Sequence, residues 1–130
     1  MSAGWASAPI RDEAVAAQLA DDLAPEDWHD ILAAYGRDIR HRAEQLAAAL
    51  REDQAQAAYE AVHSLKGASL NLGFLRLGAL CAHLQILAQT PDLATMALSW
   101  PAFVDVCNAS LARLGDSGLA FETDSSIVRL

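Results

Sequence analysis

The residues with the clearest chemical potential in this 130-residue chain are His63-Ser64-Leu65-Lys66-Gly67. A neutral imidazole nitrogen is a competent nucleophile, because an unperturbed imidazole titrates at about pH 6.5 and much of it is unprotonated in neutral solution. Lys66 follows His63 by one helical turn, so its ammonium can sit beside the ring. A phosphoryl group on the imidazole would bring nearly two negative charges, which that cation would partly offset. On a wet surface, unit charges about 4 Å apart are worth about 1 kcal/mol, rising to about 4 kcal/mol at an intermediate dielectric. The benefit of Lys66 therefore grows when a partner excludes water. Gly67 carries a cost of roughly 0.5 to 1 kcal/mol relative to alanine inside a helix. It leaves bare backbone one turn from the imidazole, which makes sense where another protein must reach the ring. Lys66 is also the single lysine among nine basic residues, the rest being arginines. A histidine on a helix is ordinarily just a surface residue, and His29, His41 and His83 are read that way. The same reading of His63 must treat Lys66, Gly67, the small residues after them and Gly73 as coincidences.

Periodicity predicts the elements that hold this segment, and all of them are helices. The first spans about residues 10–22, after Pro9, with Ile10, Ala14, Val15 and Leu19 on one side, and reads as a short cover helix. The second spans 25–51, with Pro25 in its first turn, and Trp28, Ile31, Leu32, Tyr35, Ile39, Leu46 and Leu50 form its stripe. Glu26, Asp27 and Asp30 suit the positive end of its dipole better than they suit a metal. A third helix, 54–71, is expected to be capped by Asp53 and stopped near Gly73. At about 100° per residue, Ala58, Ala61, Leu65 and Leu72 gather opposite His63, while Tyr59, Lys66, Gly67 and Leu70 share its side. His63 should therefore face water.

A fourth helix runs over 74–89 with Leu77, Leu80, Cys81, Leu84 and Leu87 on one side, and Thr90-Pro91 breaks it. A fifth covers 99–114, with Ser99 as its cap, Pro101 in the first turn and Phe103, Val104, Cys107, Leu111 and Leu114 inward. Four long amphipathic helices with short connections predict an all-α, antiparallel up-down four-helix bundle, one end closed by the short N-terminal cover helix. We expect one domain over residues 1–115 and a C-terminal tail over 116–130, in which the packing of Phe121 and Ile127 is open.

Composition narrows the function. Net charge is −8, with no cluster of Lys and Arg, which argues against nucleic acid. The most apolar stretch, residues 70–88, is interrupted by Asn71, Arg76, His83 and Gln85, so no membrane span is expected. Cys81 and Cys107 fall on apolar stripes without CxxC spacing, which predicts buried free thiols, no metal and a cytoplasmic location.

The segment from His63 to Gly73 resembles the signature of the histidine phosphotransfer (HPt) family of two-component phosphorelays: His-x-x-Lys-Gly, small residues, then Asn71-Leu72-Gly73. The similarity extends in outline over residues 12–114, mainly as helix pattern. It implies that His63 takes a phosphoryl group on Nε2 from a receiver-domain aspartyl phosphate and passes it to another receiver. Gln85 falls where many members carry a glutamine that hydrogen-bonds the imidazole through Nδ1. Leu70 departs from the pattern, since relatives commonly have a small residue there; with Tyr59 it could form a docking patch.

The resemblance further implies partners among receiver domains of response regulators or hybrid sensor kinases, which supply the aspartate and Mg²⁺. The chain itself would be a phosphoryl carrier rather than an enzyme, with no cofactor and no ATP site, and no P-loop or kinase glycine loop is found. A closed bundle leads us to expect a monomer, and the Met start a stand-alone protein. The competing reading is a bundle that docks to, or inhibits, a kinase or receiver without being phosphorylated. A general-base enzyme is the remotest alternative, because the motif holds no carboxylate partner.

Overall fold

The computed structural model of the chain describes residues 4–116; Phe121 and Ile127 lie outside the described residues. Among these, the structure is all-helical, with six α-helices and no strand. They are α1 (Glu13–Asp22), α2 (Pro25–Arg51), α3 (Ala55–Asn71), α4 (Leu75–Gln89), α5 (Leu93–Leu98) and α6 (Trp100–Gly115), preceded by a 3-10 turn at Gly4–Ser7. Among the described residues, no helix is long and apolar enough to cross a membrane.

The inward stripes of the long helices meet in one core. Leu32, Tyr35, Ile39 and Leu46 of α2, Ala58, Ala61 and Leu65 of α3, Leu77, Leu80, Cys81 and Leu84 of α4, and Phe103, Cys107, Leu111 and Leu114 of α6 are all buried. Ile31, expected in the α2 stripe, is instead exposed. Each of α3 and α6 packs against both α2 and α4. Cys81 and Cys107 are buried free thiols, and burial pushes both well above the ordinary thiol range.

The helix ends correct several expectations. α1 starts at Glu13 because Asp12 caps it, its carboxylate accepting from Ala14 N at 3.0 Å and Val15 N at 3.3 Å. Asp53 does not cap α3. It has φ +57° and ends α2, with Gln54 N donating to Ala49 O at 2.8 Å across it. An aspartate tolerates that left-handed backbone better than most residues, so the α2–α3 turn uses it where glycine is usual. Gly73, at φ +82°, ends α3 in the same way, with Phe74 N donating to Ser69 O at 2.8 Å.

Ser99 gives α6 no side-chain cap, because its hydroxyl donates back to Thr95 O at 3.1 Å. That carbonyl belongs to α5, a helix absent from the sequence reading. Asp92 starts α5 by accepting from Thr95 N at 3.1 Å and Thr95 Oγ1 at 2.7 Å, and these bonds, the hydroxyl first, lower its carboxyl below the usual range.

The chain ahead of α1 is tied across the α3–α4 turn. Arg76 donates from Nε to Ala8 O at 2.7 Å and from its backbone N to Pro9 O at 2.9 Å. Asp12 N donates to Gly73 O at 2.7 Å, and the Arg11 guanidinium lies 5.9 Å from the centre of the Phe74 ring. Arg76 thus fastens the segment ahead of α1 to the first turn of α4.

Candidate functional site

The site is built on the α3–α4 face, and its precision comes from how α3 is held. Ser69 is fully buried on α3, and its hydroxyl lies 2.6 Å from Tyr35 Oη of α2. The Tyr35 ring packs on Phe74 with centroids 4.8 Å apart. Burial pushes the Tyr35 hydroxyl well above the ordinary phenol range, although the Ser69 bond acts the other way. A buried hydroxyl pair is satisfied in only a few relative positions, so it fixes the rotation of α3 against α2. With Ser69 inward, the opposite face of α3 turns to solvent.

His63 is on that outer face and is exposed. Its Nδ1 lies 3.1 Å from Gln85 Oε1 on α4. An amide oxygen only accepts, so Nδ1–H donates, and the neutral ring must then carry its lone pair on Nε2. Tyr59, one turn earlier on α3, stacks against the imidazole with centroids 5.4 Å apart and planes 11° from parallel. The hydrogen bond and the stack constrain the ring from two directions while the residue as a whole stays exposed.

Lys66 lies one turn beyond His63 on α3 and is partly buried. Gly67 is exposed, and a Cβ added to it would meet nothing within 4 Å. The space above it is open, as access for a partner requires. Leu70, two turns from His63, is 45% exposed. Tyr59 is only partly exposed and packs on the edge of the core. All six sequence-selected residues, His63, Lys66, Gly67, Gln85, Tyr59 and Leu70, therefore fall on the outer parts of α3 and α4.

The family model for the Hpt domain matches residues 30–117. The chain belongs to the Hpt domain family. No curated protein and no solved structure matches it. Hpt domains take part in histidine-containing phosphotransfer in two-component systems, as carriers rather than kinases, and they interact with receiver domains. The match includes α3 and α4 and excludes α1, so the N-terminal segment is an addition to the matched part of this Hpt domain.

Two features of the site itself escaped the sequence reading. The Tyr59–His63 stack was obscured because the helical wheel put Tyr59 on the right side but could not give its ring orientation. Gly78 of α4 was passed over as one more residue of an apolar helix, yet it is buried directly beneath Leu70. Nothing in the sequence of α4 alone points to a contact whose other half is on α3.

Proposed function

We propose that this Hpt domain is a phosphorelay intermediate in which His63 accepts a phosphoryl group from a receiver's aspartyl phosphate and passes it to a second receiver. The observation that carries this reading is the Nδ1–H···Oε1 bond between an exposed His63 and Gln85. The Nε2 lone pair forms the P–N bond as the acyl phosphate P–O bond breaks, and the aspartate leaves as a carboxylate. No proton has to leave the nucleophilic nitrogen, so the step needs no general base. Positive charge appears on the ring as the bond forms, and Gln85 Oε1 stabilises it by accepting from Nδ1–H. Delivery to the second receiver reverses each event.

Lys66 lowers the energy of the incoming phosphoryl oxygens, Gly67 leaves room for the partner's loops, and Tyr59 and Leu70 form an apolar docking patch. The receiver contributes its aspartate and Mg²⁺. The scaffold is an antiparallel up-down four-helix bundle of α2, α3, α4 and α6, with α1 as a cover helix, a reading supported by the contacts α2–α3, α3–α4, α4–α6 and α6–α2. Residues 1–115 form the domain and 116–130 a tail. The domain works as a cytoplasmic monomer, without nucleic acid or membrane.

The test uses isolated receiver domains charged with acetyl phosphate and mixed with wild-type chain or His63→Gln. Wild type should take up acid-labile, base-stable phosphate, and His63→Gln should take up none while keeping its helical circular dichroism. Label persisting on His63→Gln rejects the assignment. A wild-type chain that binds receivers and takes no label acts as a docking or inhibitory bundle instead.

A further inference from the structure

We propose that Gly78 is a positioning residue for receiver selection: it seats Leu70 in one pose, so that an apolar step of fixed height stands beside His63. The inference rests on the proposed transfer at His63. Leu70 lies seven residues after His63, on the same outer side of α3, and is 45% exposed. A leucine that open to water ordinarily samples several rotamers. Here its inner side rests on the bare backbone of α4. A Cβ built on Gly78 would lie 2.7 Å from Leu70 Cγ and closer still to Cδ2, too close for any real side chain.

The other atoms around Gly78 are less crowded. The nearest backbone atom, Leu70 N, would be 3.6 Å from the added Cβ, an ordinary contact. The helices therefore need not separate if Gly78 gains a side chain; Leu70 must move, and its exposed side leaves it room to move outward. Backbone conformation does not call for this glycine, since among the described residues Gly73 is the glycine with positive φ. Glycine is also a poor helix former. What Gly78 provides is the notch that Leu70 fills.

The two helical glycines near the site thus do different work: Gly67 opens onto empty space, and Gly78 is occupied from within the chain. A pre-seated leucine loses little rotamer freedom when a partner covers it, which favours receivers with a matching apolar recess. A receiver that presents a polar or bulky group there is rejected.

Two donors separate this role from the chemistry at His63. Phosphoramidate is a small donor that reaches the ring without docking, and a panel of isolated receiver domains charged with acetyl phosphate requires docking. Gly78→Ala should leave phosphoramidate labelling of His63 unchanged. It should raise the half-saturating concentration of the receivers best served by wild type by about threefold or more, with the rate at saturation unchanged. In a Leu70→Ala background the same substitution should have no effect, because nothing occupies the notch. The Leu70 methyl resonances should shift in Gly78→Ala while those of the His63 ring stay in place.

An unmoved half-saturation, an equal effect in the Leu70→Ala background, or a parallel loss of phosphoramidate labelling overturns the assignment of Gly78. A wild-type chain labelled by neither donor overturns the reading of His63, and this proposal with it.

Discussion

The bond from His63 Nδ1 to Gln85 Oε1 fixes which imidazole nitrogen is free, and under the proposed function it removes proton transfer from the reaction. What remains for nearby side chains is charge. Lys66 is the cation that follows His63 by one turn on α3, and it is partly buried. At a partly wet site its contribution is about 1 kcal/mol, which is about fivefold in rate. Lys66→Ala should therefore slow single-turnover transfer from a phosphorylated receiver about fivefold. Lys66→Arg should recover much of that loss, since the charge is kept. No change in Lys66→Ala would remove the residue from the mechanism. His63, Lys66 and Gly67 could be read from the sequence because their spacing along one helix is itself the geometry. The Tyr59 stack and the Leu70–Gly78 contact could not, because each depends on a rotamer or on a partner from a separate helix.

At the scale of elements, the turns at either end of α3 decide how its outer face is presented. Both use a residue in the left-handed region, Asp53 before α3 and Gly73 after it. A non-glycine residue with such a backbone costs roughly 1 to 2 kcal/mol. Gly73→Ala should therefore lower stability by about 2 kcal/mol, more because its methyl would lie 3.1 Å from Val15. Asp53→Gly should relieve strain and raise stability by about 0.5 kcal/mol, once the flexibility of glycine in the unfolded chain is subtracted. Denaturant unfolding of the two variants reads both signs, and a stabilised Gly73→Ala would refute the account of that turn.

The long helices were legible because their apolar stripes repeat over four or more turns, as in α2 and α6. α5 was not, because its six residues are too few for a period to emerge and its start depends on Asp92 reaching Thr95. Asp53 was misread for a related reason: an aspartate between two helices suits the cap of the second and the left-handed stop of the first, and only the backbone distinguishes them.

For the whole molecule, one consequence of the core is its response to base. Cys81, Cys107 and Tyr35 are buried where α2, α4 and α6 meet, and burial raises the pKa of each above its ordinary value. A raised acid is held protonated in the folded state, so its stabilising contribution is complete below the unfolded pKa. It is lost progressively as pH rises past that value, because only the unfolded chain can then ionise. The melting temperature should accordingly fall as pH is raised beyond about 8.5, where free thiols begin to ionise. A melting temperature flat to the pH of tyrosine ionisation would contradict the buried state of the two thiols.

That core also keeps the outer face of α3 in register with Gln85, as the proposed chemistry would require. The central claim is that His63 carries the phosphoryl group on Nε2 while Nδ1 keeps its proton. Nitrogen-15 and phosphorus-31 spectra of the phosphorylated chain test it most directly. The account predicts a single phosphohistidine, with phosphorus coupled to Nε2 of His63 and a proton on Nδ1; phosphorus on Nδ1, or on any other residue, would contradict it.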